Sequence, residues 1–215
     1  MIKREHYINQ VREFYNSDLI KIITGIRRCG KSIVLEQIKE EIEAKGNKTL
    51  YLNFEDKYTL NKYPNCDALL AYIKSQIKKQ KLYIFLDEIQ LVEGFEFVVS
   101  GLLHEPNIDI YITGSNSKFL STDIITEFRD RGDEVRVYPL SYKEFYDSFE
   151  GNKNRAWREY YTYGGMPLAA TKKTPEEKSK YLDEAVQRPA MSVLLQLAVR
   201  HQLHALRLDG GDALA

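Results

Sequence analysis

The chain has 215 residues, and its 31 Lys and Arg balance 31 Asp and Glu, so its formal net charge at pH 7 is zero. This length suits one full α/β domain with a small appendage, and the balanced charge excludes a global basic surface for nucleic acid. Two cysteines without metal-ligand spacing indicate a reducing compartment, and the absence of a long apolar run or signal peptide predicts a cytoplasmic protein without a membrane span.

Near its start the chain carries a phosphate-binding motif. Apolar residues at helical spacing predict a helix over 1–17, and the β-branched run Leu19–Ile23 predicts the first strand. The following loop matches G-x-x-x-x-G-K-[ST], a pattern whose backbone N–H groups surround phosphates. It directs Lys31 to the β- and γ-phosphates and the Ser32 hydroxyl to Mg²⁺. The residues predicted to bind a nucleoside triphosphate are Gly25, Ile26, Arg27, Arg28, Cys29, Gly30, Lys31, Ser32 and Ile33.

A second chemical signal ends the third predicted strand. The helix after the loop ends near Gly46, and residues 49–54 predict the second strand. Residues 82–88 predict the third strand: a continuous apolar run ends in Asp87 and Glu88, which is typical of a central parallel strand buried on both faces. At the carboxyl end of such a strand, Asp87 is expected to hold Mg²⁺ through water, and Glu88 to orient and deprotonate an attacking water.

Small polar residues follow the fourth predicted strand. Residues 108–113 predict that strand, and Gly114–Ser117 come directly after it. These side chains suit either a contact with the γ-phosphate and the attacking water or the capping of the next helix. We favour Asn116 as the residue that senses the γ-phosphate.

An arginine precedes the fifth predicted strand, residues 133–138. Guanidinium groups commonly stabilise charge on a transferring phosphoryl group. Arg131 therefore suits a finger that acts on the nucleotide of a neighbouring subunit. Equally, it suits a local ion pair with Asp130 or Asp133, and the residues alone leave both interpretations open.

The chain after residue 140 divides into two parts. Helical patterns with many aromatic residues predict a lid over 141–187, which follows a nucleotide-binding core at 1–140 in the sequence. From Arg188 onward the chain contains no Lys, Ile, Tyr, Asn or Glu, although these types are common before it. So abrupt a change suggests that 188–215 is a foreign or frameshifted tail, and the alternative is an apolar terminal helix.

These motifs recur in order in one known family. The chain resembles the prokaryotic AAA-type ATPase family that joins a P-loop core to an uncharacterised C-terminal domain. The resemblance extends from residue 1 to about residue 185, and no counterpart of the C-terminal domain is expected in this chain. The blocks that carry it are residues 1–4, 23–32, 86–90, 113–120, 131–141 and 163–167.

The resemblance implies an α/β fold with five parallel strands in the order 5-1-4-3-2 between helices, followed by a small helical lid. It implies ATP rather than GTP, with Mg²⁺ as cofactor. It favours Arg131 as the arginine that meets a neighbour's nucleotide in a homo-oligomer, although Asp130 stands where the family usually has glycine. The remaining roles that it implies are those already given to Lys31, Ser32, Asp87, Glu88 and Asn116.

Together these features predict a Mg²⁺-dependent ATPase. Independently of the family, no N-K-x-D stretch follows the fourth strand, which favours adenine over guanine. The alternative is an ATP-dependent binding switch that holds a protein or DNA partner with little turnover. A small-molecule kinase fits less well, because Glu88 beside Asp87 suits the activation of water.

Overall fold

A computed structural model describes residues 2–63, 65–115, 128 and 131–186. The chain divides into two compact units. The first, called the sheet unit, contains residues 4–25 and 31–137. The second, called the lid unit, contains residues 1–3, residues 26–30 and the chain from 138 onward.

The sheet unit is built on five parallel strands in the spatial order β2-β3-β4-β1-β5. This is the predicted order 5-1-4-3-2, which is therefore confirmed. The strands are β1 (Ile20–Gly25), β2 (Lys48–Asn53), β3 (Leu82–Asp87), β4 (Ile108–Thr113) and β5 (Gly132–Val137). The helices of this unit are α1 (Glu5–Arg12), α2 (Lys31–Ala44), α3 (Lys57–Lys62), α4 (Cys66–Gln76) and α5 (Phe95–Leu102).

Helices cover both faces of this sheet. On one face, alternate strand residues such as Ile84 and Ile110 form a buried cluster with Ile73 of α4 and Val98 of α5. Helix α2 contacts β1, β2, β3 and β4, yet none of its described residues belongs to that cluster, so it lies on the opposite face. The inner strands β1 and β3 are consequently buried at every position, which explains the continuous apolar sequence Leu82–Leu86 of β3.

The lid unit contains four described helices: α6 (Tyr142–Asp147), α7 (Lys153–Tyr163), α8 (Pro167–Thr171) and α9 (Pro175–Val186). A capping box between Ser141 and Glu144 begins α6. Phe145 and Tyr160 pack with Leu140 in a small apolar core, and the Tyr160 hydroxyl donates to the Leu140 carbonyl at 2.8 Å. No helix in the described parts of either unit is both long and apolar enough to cross a membrane.

Several elements differ from the sequence predictions. Helix α1 covers only Glu5–Arg12 rather than 1–17, and turns follow it up to Asn16, whose φ of 62° is incompatible with a helix. The short helices α3 and α8 were not predicted. The boundary between core and lid at residue 140 stays a prediction, and the atypical tail, 188–215, lies outside the described residues.

Candidate functional site

The predicted phosphate loop connects β1 to α2. Gly25 has φ 144° and Gly30 has φ 105°, values that residues with a side chain rarely adopt. Arg28 also has a positive φ, 65°, and the Cys29 N–H donates to the Ile26 carbonyl at 3.3 Å. The loop is thus tightly turned, as the motif requires. Phosphate binding by its residues, and by Ile33 in the first turn of α2, stays a prediction.

The beginning of α2 contacts the acidic pair at the end of β3. Lys31, its first residue, places Nζ 3.2 Å from Oε1 of Glu88, and these side chains are only 3% and 8% exposed. The next residue, Ser32, hydrogen-bonds the carboxylate of Asp87. The structure therefore brings together four predicted site residues. In the sequence they form two adjacent pairs, 31–32 and 87–88, and 55 positions separate Ser32 from Asp87.

The carboxylate of Asp87 lies in a buried, hydrogen-bonded position. Its Oδ1 accepts from the Thr113 hydroxyl at 2.5 Å, and its Oδ2 accepts from the Tyr51 hydroxyl at 3.0 Å. Burial raises the pKa of Asp87, and the negative charge of Glu88 adds to that rise, while the hydrogen bonds oppose it. A buried carboxylate of this kind is stabilised by a nearby cation, so the position fits a metal ligand.

Glu88 has an unusual backbone conformation, and hydrogen bonds hold its side chain in place. Its φ of 54° and ψ of 44° place a non-glycine residue in the left-handed region, and its N–H donates to the Thr113 hydroxyl at 2.9 Å. Such a conformation costs about 1–3 kcal/mol and is typical of functional sites. Its Oε2 accepts from Gln90 Nε2 at 2.5 Å and from Ser115 Oγ at 2.7 Å. Because Oε1 lies beside the ammonium of Lys31, both oxygens of the carboxylate have a partner.

Three of these partners were missed by sequence reasoning. Tyr51 lies on β2, Thr113 is the last residue of β4, and Gln90 follows Glu88 by two positions. A polar residue that ends an apolar strand beside β3 is a signal that could have identified Thr113. Ser115 was considered only as one of several small polar residues, whereas the structure places its hydroxyl on Glu88.

Of two other predicted site residues, one cannot be placed relative to this site, and the other lies away from it. Asn116 lies outside the described residues. Arg131 is exposed, and its carbonyl accepts from the N–H of Ile20, the first residue of β1. Because the strands are parallel, this position is at the amino-terminal edge of the sheet, whereas Lys31 follows the carboxyl-terminal edge. A six-residue strand separates the two edges by about 17 Å, so Arg131 does not contact the site of its own chain.

Comparison with known proteins identifies the family. A family model described as an AAA domain matches residues 17–146. The chain belongs to the AAA-type P-loop ATPase family. Among its relatives, an uncharacterised protein of Haemophilus influenzae is 39% identical over 176 residues, which cover 78% of this chain and 44% of the relative. An uncharacterised protein of Methanocaldococcus jannaschii is 34% identical over 165 residues, which cover 69% of this chain and 35% of that relative. The chain thus spans less than half the length of these two relatives.

Solved structures share the AAA core fold with this chain. AMPPCP-bound DnaA from Aquifex aeolicus superposes with a TM-score of 0.53 at 15% identity, over 88% of this chain and 64% of DnaA. PCH-2 from Caenorhabditis elegans superposes with a TM-score of 0.51 at 11% identity, over 93% of this chain and 67% of PCH-2. At such low identities the similarity establishes the fold and nothing further.

Proposed function

We propose that this AAA chain binds ATP together with Mg²⁺ and hydrolyses the bond between the β- and γ-phosphates. One observation carries the proposal: Lys31 and Ser32 at the start of α2 contact the carboxylates of Glu88 and Asp87. The beginning of α2 and the acidic pair therefore meet at the carboxyl-terminal edge of a parallel sheet, where ligands bind in open α/β folds.

The residues present fit a magnesium ion. Ser32 and Asp87 supply a hydroxyl and a carboxylate, the oxygen ligands that this hard cation prefers. Asp87 is buried, and a cation beside it relieves the desolvation that raises its pKa. Held by Ser32 and Asp87, a magnesium ion would neutralise the negative charge that develops on the phosphates during hydrolysis.

The phosphate loop, Lys31 and Glu88 each have a role in the hydrolysis. The amides of residues 25–32 hold the phosphates, and the ammonium of Lys31 balances the charge of the γ-phosphate. Glu88 accepts a proton from water while the water oxygen bonds to the γ-phosphorus. The bond to the bridging oxygen then breaks, and its electron pair leaves with ADP.

Two substitutions test the proposal. Lys31→Ala should abolish ATP binding, and Glu88→Gln should retain binding while stopping phosphate release, because the amide cannot take the proton. Lys39→Ala is a matched control for the first, since Lys39 lies on the same helix and pairs with Glu43 at 3.1 Å. Glu93→Gln, at an exposed carboxylate, is the control for the second. Undiminished hydrolysis by the Glu88→Gln protein would refute the assigned base.

The position of Arg131 favours a second candidate function. Because Arg131 does not contact the site of its own chain, a single chain lacks this guanidinium at its nucleotide. The chain then acts as an ATP-dependent switch for a protein or DNA partner, and turns over little unless copies assemble. Tight ATP binding without phosphate release in single-turnover assays would favour the switch. Sizing the protein with and without ATP tests whether a homo-oligomer forms that supplies Arg131 in trans.

A further inference from the structure

The two carboxylate oxygens of Glu88 are held by different kinds of group. Oε1 lies 3.2 Å from the ammonium of Lys31, whereas Oε2 accepts hydrogen bonds from the Gln90 amide and the Ser115 hydroxyl. The phosphates of a bound triphosphate compete with Glu88 for the ammonium of Lys31, because opposite charges attract strongly. They compete much less for the neutral amide of Gln90 or the hydroxyl of Ser115. The contacts at Oε2 are therefore the ones suited to persist when nucleotide is bound.

Gln90 is held in place by the turn that contains it. It lies in the 3-10 turn Ile89–Leu91, which is anchored by the fully buried Ile89. A carboxylate only accepts hydrogen bonds, so Gln90 must present its NH₂ group to Glu88. Its own Oε1 is then buried and receives no hydrogen bond from any described residue. An unpaired buried acceptor lowers stability, and in native proteins it calls for a functional explanation.

We propose that Gln90 is a positioning residue for the base of the reaction. Together with Ser115 it holds Oε2 of Glu88, so that Oε1 is the oxygen that receives the proton of the attacking water after Lys31 has bound the phosphates. The inference rests on the proposed ATPase function and deepens it. The chemistry is that of the hydrolysis already described; Gln90 acts only through Glu88, because the rate of proton transfer depends steeply on the placement of the base.

The substitution Gln90→Met tests this role, because methionine has nearly the same size but lacks the amide. We expect kcat to fall by about 10-fold or more, and the affinity for ATP to stay within about twofold, since the phosphate loop is unchanged. Gln76→Met is the matched control. Gln76 also donates from Nε2 to a neighbouring hydroxyl, that of Ser75 at 3.0 Å, but it lies exposed at the end of α4. It should keep the wild-type rate.

Two further comparisons separate positioning from a structural role. In a Glu88→Gln background, Gln90→Met should not lower the small residual turnover any further, because no base remains to be positioned. Ser115→Ala should lower kcat, and Ser115→Thr should restore it by retaining the hydroxyl. If circular dichroism shows that Gln90→Met does not fold, this pair of serine variants provides the same test. Wild-type turnover in Gln90→Met and Ser115→Ala would overturn the inference, as would a loss that persists in full without Glu88.

Failure of this inference is distinguishable from failure of the proposed function. If the unmodified protein binds ATP but releases no phosphate, the ATPase proposal fails, and the positioning role fails with it. If the unmodified protein hydrolyses ATP and Gln90→Met does so at the same rate, only the positioning role is refuted.

Discussion

The ammonium of Lys31 and the carboxylate of Glu88 form a buried ion pair at the carboxyl-terminal edge of the sheet. Each charge depends on the other, because an isolated charge at this depth loses its hydration without compensation. A phosphate group that draws Lys31 away must leave Glu88 with other partners, and Gln90 and Ser115 are such partners. In the proposed mechanism, the side chain of Lys31 thereby links nucleotide binding to the release of Glu88 as the base.

The first prediction concerns the stability of this pair. Without nucleotide, Lys31→Met should lower the free energy of unfolding by about 3 kcal/mol, because it leaves Glu88 buried without its cation. The double variant Lys31→Met/Glu88→Gln should lose clearly less than the sum of the single changes. Urea denaturation followed by circular dichroism measures both. Additive losses would show that the pair is not coupled.

A second buried pair provides a comparison within the same sheet. Lys21 pairs with Asp109, and both side chains are at most 1% exposed. Asp109 precedes the site residue Thr113 by four positions on β4, so this pair lies towards the amino-terminal edge of the sheet, away from the candidate site. Lys21→Met should destabilise the protein similarly, yet added ATP should raise its melting temperature as much as it does for the unmodified protein. With Lys31→Met that rise should disappear. An equal response to ATP in both variants would contradict the assignment of Lys31.

The second prediction concerns the hydroxyl of Tyr51, which donates to Oδ2 of Asp87 at 3.0 Å. A partner that orients a metal-binding carboxylate typically changes metal affinity by about 10-fold or more when it is removed. Tyr51→Phe should therefore raise the Mg²⁺ concentration needed for half-maximal ATP hydrolysis by about 10-fold. Magnesium titrations of the hydrolysis rate at saturating ATP measure this shift.

Tyr83 offers a matched control for that substitution. Its hydroxyl donates to the Asn16 side chain at 2.8 Å, and Tyr83 lies on β3, the strand that Asp87 ends. Tyr83→Phe removes a comparable hydrogen bond without touching Asp87, so the magnesium requirement should stay at the wild-type value. Equal shifts in both variants would attribute the effect to a general loss of stability.

Much of the sheet was predictable because buried parallel strands have a simple signature. The run Leu82–Leu86, which precedes Asp87, is apolar at every position, so its place in the centre of a sheet follows from composition. The strand order, in contrast, came from the family resemblance. Strand periodicity alone does not specify which strands are neighbours, and the observed pairings of the five strands establish their order.

The finer geometry of the site was not predictable, because it depends on register across strands and on turns. Tyr51 reaches Asp87 because β2 and β3 pair with Asn53 opposite Asp87, which no local pattern reveals. Gln90 reaches Glu88 because Glu88 itself has a left-handed backbone conformation and begins the turn that contains Gln90. The helix α3 was missed for a related reason: it has only six residues, and its main signal is the cap that Asp56 provides to the N–H groups of Tyr58 and Thr59.

The last prediction concerns alkaline pH and Tyr160 in the lid unit. Burial, together with the negative charge of Glu144, raises the pKa of Tyr160 from its ordinary value of 10 to about 12. Between these two values the unfolded chain has released the phenolic proton while the folded chain retains it. The folded state then binds more protons, so its stability falls as the pH rises through this range.

Tyr160→Phe should make this alkaline decline shallower, because one of the tyrosines that titrate differently in the two states is gone. At neutral pH the same change should cost about 1 kcal/mol, since the Leu140 carbonyl loses the hydroxyl that donates to it. Tyr161→Phe is the control: the neighbouring phenol is 77% exposed, and its removal should alter neither value. Urea denaturation at intervals from pH 8 to about pH 11 measures the slope. A slope in Tyr160→Phe as steep as in the unmodified protein would assign the alkaline sensitivity to other tyrosines.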